Sequence, residues 1–327
     1  MAREGWTVFP GSGVCGLTGT GKFKRPLWVD YTAPGPKCAA WLASRAPMSF
    51  VMGPVGSAKT TGGPMKGLQI ARLQHPSTKD IYSARRPEFR KWDGVGWRKA
   101  KVIAGRMNYR RMHDTLMPSY QKVFPADLPK MGNRWSATTE WSYEKNGPVD
   151  HVMEFVFDDV GPVRLHMSFR SVGEQTLESF VRGNESTAWW LNEVDEFPPG
   201  SLGMFGQRVG REYLDERPDP DIAPPVAYTE IFGDLNAPDE DNWFNEDYIQ
   251  KKPDGFELFV QPSGFSPDAE NLENLRRIHP DYYAQMAKKL RADQGEWAVR
   301  RFIENKPGIS RQGTPVYRAF NAMIHVP

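Results

Sequence analysis

Cysteine is nearly absent: Cys15 and Cys38 are the only two in 327 residues. Two thiols build neither a disulfide framework nor a four-ligand zinc site, so reduced thiols in a cytosol are expected, and redox and structural zinc roles drop out. An excess of one charge is missing too, since 42 Lys and Arg face 40 Asp and Glu for a net charge of +2. Nothing global therefore points to nucleic acid or to an acidic solvating tail, and any electrostatic function must be local. No run reaches the roughly 18 apolar residues of a membrane span, and the opening MAREGWTVFPGSG lacks the apolar core of a secretory signal. These absences lead to the expectation of a soluble, intracellular protein. Internal repeats and low-complexity tracts are also lacking, which argues against solenoid and disordered architectures.

What the chain has in quantity is glycine and proline, 30 and 28 residues, clustered in the first 37 positions, around 195–225 and around 253–268. These are loop-rich joints. Between them, short apolar runs predict strands at 48–52, 101–104, 187–191, 226–232 and 256–260. Helical patterns fill the gaps at 59–73, 108–121, 175–181, 242–250, 280–292 and 295–303, with Pro280 suited to a first helical turn. Strands alternating with helices predict an α/β fold with a mainly parallel sheet. A β-hairpin, 151–157 against 163–169, interrupts the alternation as an insertion on the sheet edge.

The first strand runs directly into Gly53-Pro54-Val55-Gly56-Ser57-Ala58-Lys59-Thr60, a near match to G-x-x-x-x-G-K-[ST], and a helix comes next. In such a loop backbone N–H groups surround phosphate oxygens and the helix N-terminus adds positive potential. Lys59 reaches the β and γ phosphates, and Thr60 serves as a ligand of Mg²⁺. Two departures bear on geometry: Ala58 replaces the second glycine, and Gly62-Gly63-Pro64 weaken the adjoining helix. About 130 residues later the buried run Thr187-Ala188-Trp189-Trp190-Leu191 ends in Asn192-Glu193-Val194-Asp195-Glu196. Acids at a strand end beside a phosphate loop suit metal positioning and water activation. Glu193 is the expected base. Asn192 stands where the metal-ordering Asp is usual, so Thr60 and Asn192 form the expected metal shell, with Asp195 or Glu196 able to compensate.

These motifs resemble the ATPase domain of a tailed-bacteriophage terminase large subunit. Around them, Tyr31-Thr32-Ala33-Pro34-Gly35-Pro36-Lys37 and the helix-like 38–44 resemble the family's adenine-side segment, with Cys38 at the place of its Gln. Gly105-Arg106-Met107-Asn108-Tyr109, Thr115-Leu116-Met117-Pro118 and Val123-Phe124-Pro125 resemble the family's strand and helix after the phosphate loop. Arg182-Gly183-Asn184-Glu185, Ala188-Trp189, Asn192-Glu193, Glu196-Phe197-Pro198 and Arg208-Val209-Gly210-Arg211 match the family's central block. The stretch from Gly233 through Asn236 and Pro238 to Trp243 resembles its third ATPase motif.

The resemblance implies a P-loop NTPase of the additional-strand type, with a mainly parallel central sheet flanked by helices, a β-hairpin insertion and a small lid. It implies an ATPase core over 1–255 with the adenine-side segment at its N-terminus, a lid over 256–310, and a linker over 311–327 leading toward a nuclease domain. No room remains for that nuclease, so a truncated chain or part of a longer protein, without nuclease activity, is expected. The implied ligands are ATP and Mg²⁺. Gly53 to Thr60 and Asn236 would hold the nucleotide, and Arg182 would be presented to a neighbouring subunit's nucleotide, with Arg106, Arg170, Arg208 and Arg211 as rivals. The implied partners are double-stranded DNA, the portal protein, the small terminase subunit and further copies in a homo-oligomeric ring on the procapsid in the host cytoplasm, with no membrane.

Other readings stay open at this point: another P-loop enzyme, helicase-like or a small kinase, and a non-catalytic scaffold with a degenerate nucleotide site. The stretch 85–101 carries seven basic residues against two acids, interleaved with Phe89, Trp92 and Trp97. It suits either a phosphate backbone or a solvated cover on the sheet edge. His113, His151, His166 and His279 lack ligand spacing and read as structural.

Overall fold

The computed structural model describes residues 31–85, 87–124, 138–143, 147–157, 159–219, 221 and 228–308. Residues 1–30, including Cys15, thus lie outside the described residues, as do Arg86, Pro125, Asp158, the start of the strand expected at 226–232, and the linker 311–327.

Short β-rich runs become strands because each can be buried on both faces. Strand β1 (Met48–Met52) has four of its five residues buried, and the later β7 (Ala188–Asn192) and β8 (Glu230–Leu235) are buried throughout. With β2 (Pro76–Ile81), β3 (Gly96–Arg106), β4 (Thr138–Tyr143), β5 (Val149–Phe157), β6 (Gly161–Ser171) and β9 (Phe256–Val260) they form one nine-stranded sheet. Its order is β4-β5-β6-β3-β7-β8-β1-β9, with β2 paired antiparallel to β3. From β6 to β9 every pairing along this path is parallel, whereas β4, β5 and β6 are antiparallel neighbours. The expected hairpin is therefore the β5–β6 pair, with β4 outside it as the edge strand. Strand β8 lies between β1 and β7, which is the additional strand that the resemblance implies.

Alternation along β7 sends Trp189 and Trp190 to opposite faces. Trp189 packs on Phe205, with ring centroids 4.7 Å apart, and Trp190 stacks on Phe232 at 6.4 Å. Trp190's face is covered by helices α1 (Pro36–Ala43) and α2 (Lys59–Arg72). Gly62 and Gly63, expected to weaken α2, instead let it approach the sheet: a Cβ at Gly63 would collide with the Trp190 ring and one at Gly62 with Trp41. Pro64 lies inside an unbroken helix. A third cluster, with Leu275, Tyr283, Val299 and Ile303, is built by the helices Leu272–Ile278, Tyr282–Asp293 and Glu296–Phe302.

Several boundaries differ from expectation. Strand β9 belongs to the main sheet, so the separately packed C-terminal cluster comes after it rather than starting at 256. Strand β8 continues through Gly233 to Leu235, past the expected end at 232, because Gly233 lies so close to the Leu191 carbonyl that no side chain fits there. Pro280 sits outside its helix, which begins at Tyr282. In the basic stretch, Lys99 pairs with Asp80 and Glu216 at 3.1 and 2.7 Å, and Lys101 with Glu212 at 3.2 Å. Arg98 donates to the carbonyls of Gln74 and Val160. Those three charges are held by partners along the first half of β3, inside the sheet, while Arg85, Arg90 and Lys91 are exposed.

The start of β8 is tied to α2 by a buried ion pair. Lys66 Nζ lies 2.9 Å from Glu230 Oε1 and donates to the carbonyls of Trp41 and Ser44 at 2.8 and 3.0 Å. Glu230 also accepts from Ser49 and Tyr228. Burial pushes the Lys66 ammonium down and the Glu230 carboxyl up in pKa, so the pair holds its charges only through this full set of donors and acceptors. Lys66→Met should therefore lower stability by about 3–5 kcal/mol in urea unfolding, and adding Glu230→Leu should recover much of the loss. A single-variant loss below about 1 kcal/mol would contradict the pair's role.

Candidate active site

Five polypeptide segments leave the same end of the sheet side by side: the loop after β1, the turns after β7, β8 and β9, and the end of β3. In an open parallel sheet this is where ligands bind. The loop Gly53–Thr60 needs left-handed backbone at Gly56, with φ 82°, and at Ala58, with φ 64°. For a residue with a Cβ that conformation costs about 1–2 kcal/mol, and the methyl of Ala58 is accommodated at that cost. The loop is braced from the C-terminal cluster. Val55 N–H donates to the Phe302 carbonyl at 2.8 Å, Asn271 Nδ2 to the Gly56 carbonyl at 2.7 Å, and Ser57 Oγ to Gln261 Oε1 at 2.6 Å.

Lys59 is buried, with Nζ donating to the carbonyls of Gly53 and Pro54 at 2.8 Å and to Asn236 Oδ1 at 3.2 Å. Burial pulls its pKa down to about 8 against the opposing pull of Asp234, Glu193 and Asp195. Thr60 Oγ1 donates to Asp234 Oδ1 at 3.1 Å. Asp234 is 2% exposed, and Asn192 Nδ2 and Trp190 Nε1 also donate to it, at 2.8 and 3.2 Å.

The turn after β7 is not a solvated acidic loop. Glu193 takes left-handed backbone, φ 55°, while its N–H donates to the Asp234 carbonyl at 2.8 Å. Its carboxylate pairs with Arg106, whose guanidinium also donates to Asn192 Oδ1 and, at 2.9 Å, to Thr115. Glu196 pairs with Arg111, and Asp195 with Arg301 at 2.8 Å. Each acid of the turn thus faces an arginine, and Arg111 also lies 3.9 Å from Glu193. Together with Asn236 they line a cleft of about 390 Å³.

Of the residues expected here, the structure brings together Lys59, Thr60, Asn192, Glu193 and Asn236. Asn192 differs from its expected role as metal ligand: its amide joins Arg106 to Asp234. The carboxylate beside Thr60 is Asp234 rather than Asp195 or Glu196, which are held by Arg301 and Arg111. Arg182 does not reach the cleft; it is the exposed last residue of the helix Leu177–Arg182 and pairs with Glu178 at 2.5 Å. Among its rivals only Arg106 lines the cleft, while Arg170 pairs with Asp150 and Arg208 with Glu185. Cys38 is buried, its thiol pushed up to about 12 mainly by burial, and the N–H groups of Lys37 and Cys38 donate to Glu270. Among the described residues no His, Cys, Asp and Glu cluster of metal-binding type occurs, and His113, His151 and His166 bond to Gly147, Tyr120 and Asp150.

Asp234, Arg111 and Arg301 belong to the candidate site by contact and are not singled out by the sequence motifs. Asp234 carries a signal: it stands two residues before Asn236, beyond a strand expected to end at 232. Arg111 and Arg301 have none, because their partners lie 85 and 106 residues away in sequence.

Asp195 gives the site a pH dependence. Burial raises its pKa to about 6, with Glu193 and Glu196 adding to the rise and Arg301 opposing it. Between the ordinary carboxylate value of 3.8 and about 6 the folded chain binds more protons at this group than the unfolded chain, so its contribution to stability falls as pH rises through that window. Asp195→Asn removes this slope. From about pH 4.5 to about pH 7 the variant should gain about 2 kcal/mol relative to the native chain in urea unfolding. A relative stability that falls over that range would contradict the assignment.

No family model matches the sequence, and no curated protein matches it. Among solved structures, the fold is similar to the large terminase from a thermophilic bacteriophage, at 10% identity over 84% of this chain and 53% of that one, with a TM-score of 0.48. The same terminase in complex with ADP matches at 10% identity over 82% and 52%, with a TM-score of 0.47. The large terminase ATPase domain of Thermus phage P74-26 matches at 13% identity over 83% and 93%, with a TM-score of 0.41. The chain spans about half the length of the thermophilic-phage terminase it matches.

Proposed function

We propose that this chain is an ATP-hydrolysing motor domain of the terminase large-subunit type, driving double-stranded DNA into a procapsid. The observation that carries the reading is the meeting of Lys59 and Thr60, at the start of α2, with Asp234, Asn236 and Glu193 at the ends of β8 and β7. The motifs that resemble the terminase family extend beyond this site in the family's order. The partners are those the resemblance implies: a portal, a small terminase subunit and further copies in a ring on the procapsid, in the host cytoplasm.

Phosphoryl transfer needs positioning and charge stabilisation more than covalent work by the protein. The N–H groups where the loop enters α2 and the Lys59 ammonium bind the phosphates. Lys59 already has three oxygen acceptors, so phosphate oxygens exchange for the Gly53 and Pro54 carbonyls. The Thr60 hydroxyl beside a buried carboxylate with only neutral donors is a donor set that fits Mg²⁺. When bound, Mg²⁺ neutralises charge on the β and γ phosphates. Glu193 orients the attacking water, its carboxylate aimed into the cleft by Arg106. Asn236 contacts Lys59 and lines the cleft, so it registers whether the γ phosphate is present. Arg301 and Phe302 carry that state into the C-terminal lid. Arg182, exposed at a helix end, acts on a neighbouring subunit's nucleotide.

DNA-stimulated ATP turnover tests the reading. Lys59→Ala should reduce turnover by about 100-fold or more, and Glu193→Gln should bind ATP yet stall. Arg182→Ala should bind ATP, lose turnover, and regain part of it when co-assembled with Lys59→Ala. Turnover by Lys59→Ala within about twofold of native would sink the phosphate-loop assignment. No recovery in demonstrated mixed assemblies would exclude Arg182 as a residue acting between subunits.

A further inference from the structure

The ATPase reading leaves one oddity in the site: the strand end that should carry a metal-ordering acid carries Asn192. Asn192 of β7 and Asp234 of β8 are register partners across a parallel pair, so they stand at the same level of the sheet and share a face. Strand β8 is the one next to β1, from which the phosphate loop departs. The carboxylate is thus about 4.8 Å, one strand spacing, nearer the loop than an acid at position 192 would be.

From there it makes the contact that a metal-ordering acid needs. Oδ1 accepts from Thr60 Oγ1 and from Asn192 Nδ2, and Oδ2 from Trp190 Nε1. All three hydrogen-bond donors are neutral, and among the described residues no Lys, Arg or His forms an ion pair with Asp234; the Lys59 ammonium attracts it without bonding to it. A buried carboxylate with neutral donors alone is costly unless a cation completes its shell. The asparagine is the complementary half of the exchange. Two adjacent buried acids would repel one another, whereas an amide at 192 donates to Asp234 through Nδ2 and accepts from Arg106 through Oδ1.

We propose that Asp234 of β8, in place of an acid on β7, orders the Mg²⁺ of the bound nucleotide beside Thr60, with Asn192 as the positioning residue that fixes it. The inference rests on the ATPase reading, and metal and nucleotide binding separate the two. Mn²⁺ is the probe, its binding to the complex of the 327-residue chain with ADP followed by electron paramagnetic resonance, and ADP binding in EDTA is measured alongside.

Asp234→Asn, which keeps the shape, should weaken Mn²⁺ binding by about 10- to 100-fold, while ADP binding in EDTA stays within about threefold of native. Asn192→Ala should weaken Mn²⁺ binding by a smaller factor, again with metal-free ADP binding unchanged, a split that a general loss of structure would not give. The exchanged pair Asn192→Asp with Asp234→Asn restores a carboxylate at the same level of the sheet and should recover part of the Mn²⁺ affinity. This variant keeps the proposal testable if Asp234→Asn alone folds poorly. Native Mn²⁺ affinity in Asp234→Asn with ADP bound would overturn the proposal and leave the ATPase reading standing. A native chain that binds no ADP, with or without metal, would overturn both.

Discussion

Helix α2 and strand β8 run past one another with their charges in matched positions. Lys59 and Lys66 are seven residues apart, about 10 Å along a helix, and Glu230 and Asp234 are four apart, about 13 Å along a strand. At one end Lys66 and Glu230 form a buried pair closed by serine, tyrosine and carbonyl partners. At the other, Lys59 and Asp234 feel one another without an ion pair; the lysine is held by loop carbonyls and Asn236, the acid by neutral donors. Burial is costly for all four charges, and only the first pair is fully compensated within the chain. The open end is the end at which a cation would complete the shell of Asp234 and phosphate oxygens would replace carbonyl acceptors of Lys59. The loop Gly53–Thr60, the β7 turn and the C-terminal cluster are arranged around that open end.

Much of this was legible because the relevant residues are contiguous. The run from Phe50 through Thr60 carries strand, loop and helix signals together, and the loop is where they predicted it. The acidic end of β7 was equally local. What escaped was set by tertiary packing. Gly233 has the look of a strand breaker, yet it is a glycine because the Leu191 carbonyl of the neighbouring strand leaves no room for a Cβ, so the strand runs on and delivers Asp234. Gly62 and Gly63 have the look of helix weakeners for the same reason, since Trp41 and Trp190 press against them. Arg111 and Arg301 sit on helical segments without distinguishing pattern, and only the fold brings them to Glu196 and Asp195.

The arginine and acid pairs also connect the C-terminal cluster to the candidate site. Arg301 bridges Asp195 at 2.8 Å and Asp239 at 3.6 Å, one in the turn that carries Glu193 and the other just beyond Asn236. The next residue, Phe302, accepts from the loop N–H of Val55. A shift in either turn or in the loop is therefore felt at one place, the end of the helix Glu296–Phe302. Under the proposed function, such a junction would convert the presence or loss of a phosphate into movement of a packed unit, which a translocating motor requires.

A structure of this chain with Mg²⁺ and a non-hydrolysable ATP analogue tests the site most directly. The expected result has the β and γ phosphates in the loop Gly53–Thr60, Lys59 turned from the Gly53 and Pro54 carbonyls onto phosphate oxygens, and the cation between Thr60 and the phosphates with Asp234 beside it, bound directly or through one water. A nucleotide seated elsewhere, or a cation held by Asp195 or Glu196 with Asp234 uninvolved, would contradict it.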